Sequence, residues 1–355
     1  MPRLRRFNGA KIVRSLAVAV VCALGLLAAP AGAAGSYDAA DAALEARMSD
    51  DRLPGGVLFV ARDGKTLHQH DALGVKGRTV MPIASASKWL TSATLMTLVD
   101  ERKLALDDSV RDHLPGFDGA KSDITVRQLL SHTTGLPSAG CEGDPSTTLK
   151  RCVASIAAGG DPSSTPGTEF HYSGVGFAVT GRIVERLAGT SFQQAFEDRI
   201  AKPLGMTHTR FDGTRRPHSP NPSPAASATS TVDDYARFLR MLAAGGSVDG
   251  AQLLSPESVA EIEQDQVRGL DTHGDGAVQI TGIPTYGLGV WRDEVAADDS
   301  IQVVSGSGAL GFYPWIDRVH GTYGIVAVDD ELHGPEHAVP ASQRIARMLW
   351  EAAAN

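Results

Sequence analysis

Eleven consecutive residues between Lys88 and Asp100 carry no charged side chain. A helix that is apolar or small on every side has no face to offer water, so it folds inside the molecule. Residues 84–103 therefore predict a buried central helix, around which everything else has to be layered. On its N-terminal side, residues 36–53 read as a polar, Ala-rich lead-in helix and Gly55–Arg62 as a strand. Asp63-Gly64 is a two-residue hairpin turn, and Lys65–Leu73 is the returning strand. After the central helix, Ile124–His132 reads as a helix with Gly135 just past its end. Gly176–Leu187 and Ser191–Leu204 follow as helices, and the polar Pro/Ser/Ala stretch Arg215–Ser227 as a loop. Ser230-Thr231-Val232-Asp233 reads as a capping box opening a helix over Asp234–Ala243.

From Tyr286 onward strands return, at Gly287–Arg292, Ile301–Val304, Gly311–Ile316 and Tyr323–Val328, before an amphipathic helix from about Pro340 to Trp350. Strands at both ends with helices between predict an α/β chain of the α+β type. One antiparallel sheet is built from both termini and flanked by helices, with a mostly helical domain inserted. The expected lobes are a sheet lobe, 50–104 with 246–355, and a helical lobe, 105–245, within a single unit covering 34–355.

The first 33 residues have a different character. Arg3, Arg5, Arg6, Lys11 and Arg14 precede an uncharged run from Ser15 to Ala34, and Ala31-Gly32-Ala33 supplies small residues for cleavage. This is the pattern of a secretory signal peptide, 1–33, and places the mature chain in the periplasm or outside the cell. The other reading, a membrane-anchoring helix, conflicts with Pro30 and Gly32 in the run, and no second apolar run follows; no stable membrane span is expected in the mature form. Cleavage leaves 28 basic residues against 41 acidic ones, a net charge of −13 in place of −8. That balance argues against nucleic acid or an anionic membrane as partner. Of three cysteines, Cys22 goes with the signal, and Cys141 and Cys152 remain as an even pair in an oxidising compartment. A disulfide across their short turn-rich loop stabilises by roughly 3 kcal/mol in the chain-entropy picture. No His or further Cys stands near them at zinc-ligand spacing.

Gly-x-Ser-x-Gly is absent, so the strand-to-helix nucleophile elbow is absent too. Among eight lysines, only Lys88 has a serine three residues before it, in Ser85-Ala86-Ser87-Lys88. Positions three apart share a helix face, so the Ser85 hydroxyl and the Lys88 amine can meet. The helix start favours a developing alkoxide, while burial disfavours a charged Lys88 and lowers its pKa towards one suited to proton transfer.

Four runs together carry a resemblance. Ser85–Lys88, then Leu129-Leu130-Ser131-His132-Thr133-Thr134-Gly135-Leu136-Pro137, then Tyr172-Ser173, then Pro203-Leu204-Gly205-Met206 are similar to the class C β-lactamase-like serine hydrolases. Tyr286-Gly287-Leu288-Gly289 and Gly308–Phe312 match that family's later strands, and the likeness covers about residues 55–350. It implies the β-lactamase/transpeptidase-like fold and an acyl-enzyme on Ser85, with Lys88 as proton partner and Tyr172 as general base. It also implies substrate and oxyanion contacts at Ser85, Gly308 and Ala309, the backbone N–H groups of Ser85 and Ala309 forming the oxyanion hole. A tyrosine titrates near 10 and needs cationic neighbours to act as a base at neutral pH. No cofactor and no metal enter this chemistry.

Two positions depart from the family. The asparagine of Tyr-x-Asn is Gly174, and the Lys-Thr-Gly or His-x-Gly motif aligns with Gly306-Ser307-Gly308. No cation comes from that strand, which weakens recognition of carboxylate-bearing β-lactams, and the small residues there are expected to widen the cleft. Small-molecule esters or amides are therefore the expected substrates. A D-alanyl-D-alanine carboxypeptidase or β-lactamase acting on cell-wall peptide or β-lactam is the alternative, and an impaired cell-wall peptide binder is the non-enzymatic one. His132 reads as structural, His333-Gly-Pro-Glu-His337 as a solvated turn despite its metal-capable side chains, and Trp315 as either cleft lining or sheet packing.

Overall fold

The computed structural model describes residues 36–211 and 219–355. The expected signal peptide, 1–33, with Cys22, and part of the Arg215–Ser227 loop lie outside the described residues. Among those described, no helix is long and apolar enough to cross a membrane.

Six antiparallel strands form the main sheet: β1 (Gly56–Arg62), β2 (Lys65–Ala72), β3 (Trp291–Val295), β4 (Ile301–Ser305), β5 (Tyr313–Asp317) and β6 (Thr322–Val328). Their spatial order is β2-β1-β6-β5-β4-β3, so β1 from the N-terminal part pairs with the last strand, Gly56 opposite Val328. The Asp63-Gly64 turn takes positive φ at both residues, 50° and 74°, as a tight hairpin requires.

The continuous apolar run of β1 has a physical reason. Val57, Phe59 and Ala61 face one cluster with Trp89, Phe238 and Ile325, while Leu58 and Val60 face another with Leu44, Met48, Trp315, Ile345 and Trp350. Helices cover both faces of this strand, so neither set of alternating side chains is left to water. The lead-in helix Asp38–Asp50 and the C-terminal helix Pro335–Ala354 cover one side, and the helix Val232–Ala243 packs on β5 and β6 from the other.

The central helix forms over Ser87–Asp100, and Ser87 through Leu98 are all buried. The cysteines are joined, Cys141 to Cys152, with Cα atoms 5.5 Å apart. Trp315 is fully buried and meets Trp350 edge to face at 5.6 Å, so its role is sheet packing.

Several boundaries differ from the sequence expectation. The Ile124–His132 helix shrinks to Val126–Leu130, capped by Thr125 and Gln128 and closed by His132 at φ 61°. The cap of the Val232–Ala243 helix is Thr231, accepting from Asp234 N–H, one residue later than the box expected at Ser230. The first late strand begins at Trp291, because Gly287–Val290 form a turn instead. Gly289 sits at φ 85°, and a Cβ there would lie 2.5 Å from Ser92 Oγ and 3.0 Å from the Lys88 carbonyl oxygen. Gly289 lets the turn pack directly on the central helix, while Gly287 lies against the Ile262 carbonyl. The last helix starts at Pro335 instead of Pro340, with Pro335 in its first turn and Pro340 inside it.

On β3, Asp293 accepts a hydrogen bond from the Tyr313 hydroxyl. Burial pushes its carboxyl up to about 7, opposed by nearby Ser305, by the Tyr313 hydrogen bond and by Arg347, and aided by Glu294. The folded state therefore holds this proton more tightly than the unfolded chain, whose Asp titrates near 3.9. The stabilisation is complete below about pH 4 and is lost as pH rises through 7, at about 1.4 kcal/mol per pKa unit. Denaturant titrations of the wild type are expected to show this fall, and Asp293→Asn is expected to flatten it. A slope unchanged in the variant would assign the effect to another group.

Candidate functional site

Ser85 occupies a single 3-10 turn, Ala84–Ala86, directly before the central helix. Ala84 adopts φ 44°, a strained value for a residue with a Cβ. The strain is held from both sides: Ile83 N–H donates to the Ala228 carbonyl at 3.0 Å, and the buried Tyr235 hydroxyl donates to the Ala86 carbonyl at 2.9 Å. One helical turn on, Lys88 Nζ reaches Ser85 Oγ at 3.1 Å and the Ala225 carbonyl at 3.1 Å. Lys88 is 3% exposed, and burial lowers its amine to about 7. An amine with that pKa is about half free base at neutral pH, so a proton acceptor is present in quantity, as the sequence reading required.

Tyr172 lies close to Ser85, and both line the same cleft. Its ring is gripped by His132, centroids 4.4 Å apart, and by Trp291, stacked at 5.4 Å. Lys88 Nζ sits over the ring face, 4.6 Å from its centroid. Burial pushes the Tyr172 hydroxyl up to about 12; Ser85 opposes this and the Asp275 charge adds to it. The phenol is thus protonated at neutral pH, while the amine beside it is divided about equally between its two forms.

His132 plays the structural part expected of it. Its Nδ1 accepts the Ser173 N–H at 3.2 Å, which leaves Nε2 to donate to the Tyr286 hydroxyl at 3.3 Å. Burial first, and the Lys88 charge second, lower its pKa well below 6.5, so the ring is neutral. It fixes the backbone that carries Tyr172.

Ser85, Tyr172, Ser307 and Ala309 line one cleft of about 320 Å³, so the sheet-side loop after β4 does meet the serine. Gly308 does not line the cleft. A Cβ on it would lie 2.5 Å from the Ile83 carbonyl oxygen and 2.9 Å from that of Phe312. Its bareness lets the loop lie against the strand leading into Ser85, which brings Ala309 there. Gly306 faces away from the cleft as well, its Cβ position 3.0 Å from the Trp89 ring. The expected widening of the cleft by these two glycines is therefore incorrect: both open towards backbone or core. The missing amide at Gly174 has a substitute, since the Ala225 carbonyl holds the amine.

Three contributors had no motif to reveal them. The 224–228 segment, read only as loop, is tied along the central helix by Thr91 Oγ1 donating to the Pro224 carbonyl at 2.6 Å and Ala228 N–H donating to Ser87 Oγ at 3.1 Å. Trp291 forms a cleft wall, continued by Ala277, Ile280, Pro335 and Val339. Asp275, another wall residue, accepts Tyr172 N–H at 2.9 Å and Ala277 N–H at 2.8 Å. An Asp ahead of an apolar hexapeptide signals a helix cap in sequence; nothing local says which site it reaches.

A buried amine that titrates at about 7, a serine hydroxyl, a phenol and a loop amide around one cleft can activate the serine and carry it through acyl transfer. Comparisons with known proteins agree with that chemistry. Penicillin-binding protein 4 of Amycolatopsis lactamdurans is 30% identical, over 75% of this chain and 81% of its own. A solved putative β-lactamase from Bacteroides dorei superposes with a TM-score of 0.82 at 30% identity, covering 90% of this chain and 99% of that one. A D-stereospecific amidohydrolase from a Streptomyces species gives 0.66 at 25% identity, with 88% and 98% covered. The Beta-lactamase family model matches residues 40–345, and with the serine, amine and phenol assembled as described, the chain belongs to the β-lactamase family of serine hydrolases.

Proposed function

We propose that the mature protein is an exported serine acyl-hydrolase that acts on uncharged carboxylic esters or small amides through an acyl-enzyme on Ser85. The observation that carries this is the contact between Ser85 Oγ and a Lys88 amine whose pKa burial has brought to about 7. Lys88 takes the hydroxyl proton as Oγ bonds to the substrate carbonyl carbon, and the oxyanion is met by the N–H groups of Ser85 and Ala309. Collapse breaks the bond to the leaving alkoxide or amine, which takes the Tyr172 proton; Lys88 returns one to Tyr172. Water then attacks the ester, losing a proton to the same relay, and Ser85 leaves with its hydroxyl restored. Tyr172 thus serves as proton donor and carrier in preference to the resting general base.

Charge supports the choice of substrate. Among the described residues that line the cleft, Asp275 is the only formally charged one, and Ala277, Ile280, Trp291, Pro335 and Val339 give the cleft apolar surface. A carboxylate on the substrate meets that negative charge, and none of these lining residues is a cation. This disfavours β-lactams and the C-terminal carboxylate of cell-wall peptides. The Cys141–Cys152 bond suits the oxidising compartment that an exported chain enters.

A fluorophosphonate probe is expected to label Ser85 of the wild type and not Ser85→Ala, with the adduct located by mass spectrometry. A short-chain nitrophenyl ester is expected to be hydrolysed and a chromogenic cephalosporin left largely intact. Absence of a Ser85 adduct in folded protein overturns the hydrolase reading. Asp275→Asn tests the charge argument. The ratio of penicillin acylation to neutral-ester hydrolysis, as kcat/KM, is expected to rise about tenfold, the effect of roughly 1.4 kcal/mol of relieved repulsion. An unchanged ratio would mean that the carboxylate only caps its helix and holds Tyr172.

A further inference from the structure

Around the start of the C-terminal helix, two imidazoles and two carboxylates from three parts of the chain converge. Asp51 follows the lead-in helix, Asp330 and His333 lie in the turn after β6, and His337 stands in the first turn of the C-terminal helix. One ligating atom from each lies within 4.8 Å of all the others, the one such group among the described residues. His333 Nδ1 is 2.8 Å from Asp330 Oδ1, and His337 Nε2 is 2.8 Å from Asp51 Oδ2. The sequence reading treated His333–His337 as a solvated turn; it had no means of seeing the two aspartates, one of them nearly 300 residues away in sequence.

We propose that Asp51, Asp330, His333 and His337 form a binding site for a single Zn²⁺-class divalent cation. The site is structural and stands apart from the acyl-transfer chemistry.

The donor set is mixed nitrogen and oxygen, which selects zinc-like ions over Mg²⁺ or Ca²⁺, whose sites are built from oxygens. Tetrahedral bonds of about 2.0–2.1 Å put ligand atoms roughly 3.3 Å apart, so the four need only small adjustments from their present spacing. The two short His–Asp contacts open slightly and the wider gaps close. Depth is graded usefully. The Asp330 side chain is fully buried, whereas the His333 and His337 side chains are 37% and 46% exposed, giving an ion a route in from solvent. Arg47 supports the carboxylates from behind, 3.3 Å from Asp330 Oδ2 and 3.5 Å from Asp51 Oδ2, while its Nη1 donates to Ser342 Oγ at 2.7 Å. Outer partners of this kind hold ligating carboxylates in place. The two carboxylates outnumber the one guanidinium behind them, and a dication answers that excess.

Placement gives the site a consequence. His337 falls between Pro335 and Val339, which line the cleft. An ion at His337 pins that same helical turn to the end of the lead-in helix, so occupancy stiffens one cleft wall from outside.

The test uses the full mature chain, stripped with a chelator and dialysed against ZnCl₂ at neutral pH. One Zn²⁺ per chain is expected to bind with Kd below about 10 µM, and Co²⁺ to give the intense visible absorption of a tetrahedral complex. His333→Ala/His337→Ala is expected to weaken Zn²⁺ binding at least about 100-fold and to abolish the rise in melting temperature that saturating metal produces in the wild type. His337→Gln, which can still hydrogen-bond Asp51, repeats the measurement in a chain whose fold is first checked by circular dichroism. Binding weaker than that limit, or an affinity unchanged in the folded variants, overturns the proposal. Failure of the ester assay leaves these readouts untouched, so the two readings fall separately.

Discussion

Lys88→Ala is expected to lower kcat/KM for a short-chain nitrophenyl ester by about 10³- to 10⁴-fold, towards the upper end of what a positioned proton acceptor contributes. Lys88→Arg is expected to fare no better. A guanidinium keeps its proton at any working pH, and the role needs a group that gives it up near neutrality. The wild-type pH profile carries the same signature. Because the amine sits at about 7 through burial, kcat/KM is expected to rise with pH through that value as Lys88 loses its proton. Tyr172, held at about 12, contributes no falling limb in the usable range. Steady-state rates from mildly acid to mildly alkaline pH check this directly. A profile flat through 7, or one that falls there, would exclude Lys88 as the acceptor.

The second large effect belongs to a residue with no side chain. Gly308→Ala is expected to reduce kcat by about 10²-fold, the scale of a catalytic group displaced by about an ångström. The added methyl would stand 2.5 Å from the Ile83 carbonyl oxygen, a backbone atom two residues before Ser85, and 2.9 Å from that of Phe312. Neither neighbour can swing aside as a flexible side chain could. Either the loop carrying Ala309 lifts or the strained turn holding Ser85 shifts, and both separate the two N–H donors. Labelling by a fluorophosphonate should slow in the same proportion, while circular dichroism still reports a folded chain. If Gly308→Ala labels at the wild-type rate, the Ala309 amide is not part of the oxyanion hole.

How far the sequence reveals this site depends on whether each residue's partner is local. Ser85 and Lys88 are three apart across a 3-10 turn that runs straight into the central helix, so local helical geometry predicts their contact, and the charge-free stretch behind them predicts the burial that tunes the amine. The hairpin at Asp63-Gly64 and the Cys141–Cys152 bond are legible for the same reason. Long-range supports are not. Ala225 reaches Lys88 across 137 positions and Asp275 reaches Tyr172 across 103, each through a backbone group or a common carboxylate that no pattern marks. Gly306 and Gly308 show the converse error. Their smallness was plain, but whether it opens the cleft or admits a neighbouring backbone depends on which side of the loop faces Trp89 and Ile83. Boundaries moved where a glycine turn or an internal proline mimicked the start of an element, as at Gly287–Val290 and Pro340.

The order of strands also sets a timetable. β1 lies between β2 and β6, and Arg62 beside it donates to the Ala353 carbonyl at 2.8 Å, so the middle of the sheet closes only with the end of the chain. During synthesis the first hairpin exists long before its inner partner, exposing an apolar strand edge for most of elongation. A polypeptide wired this way resists premature folding and stays threadable until nearly its last residue is made. Under the export proposed above, such a chain would cross a translocation channel extended and complete its sheet on the other side.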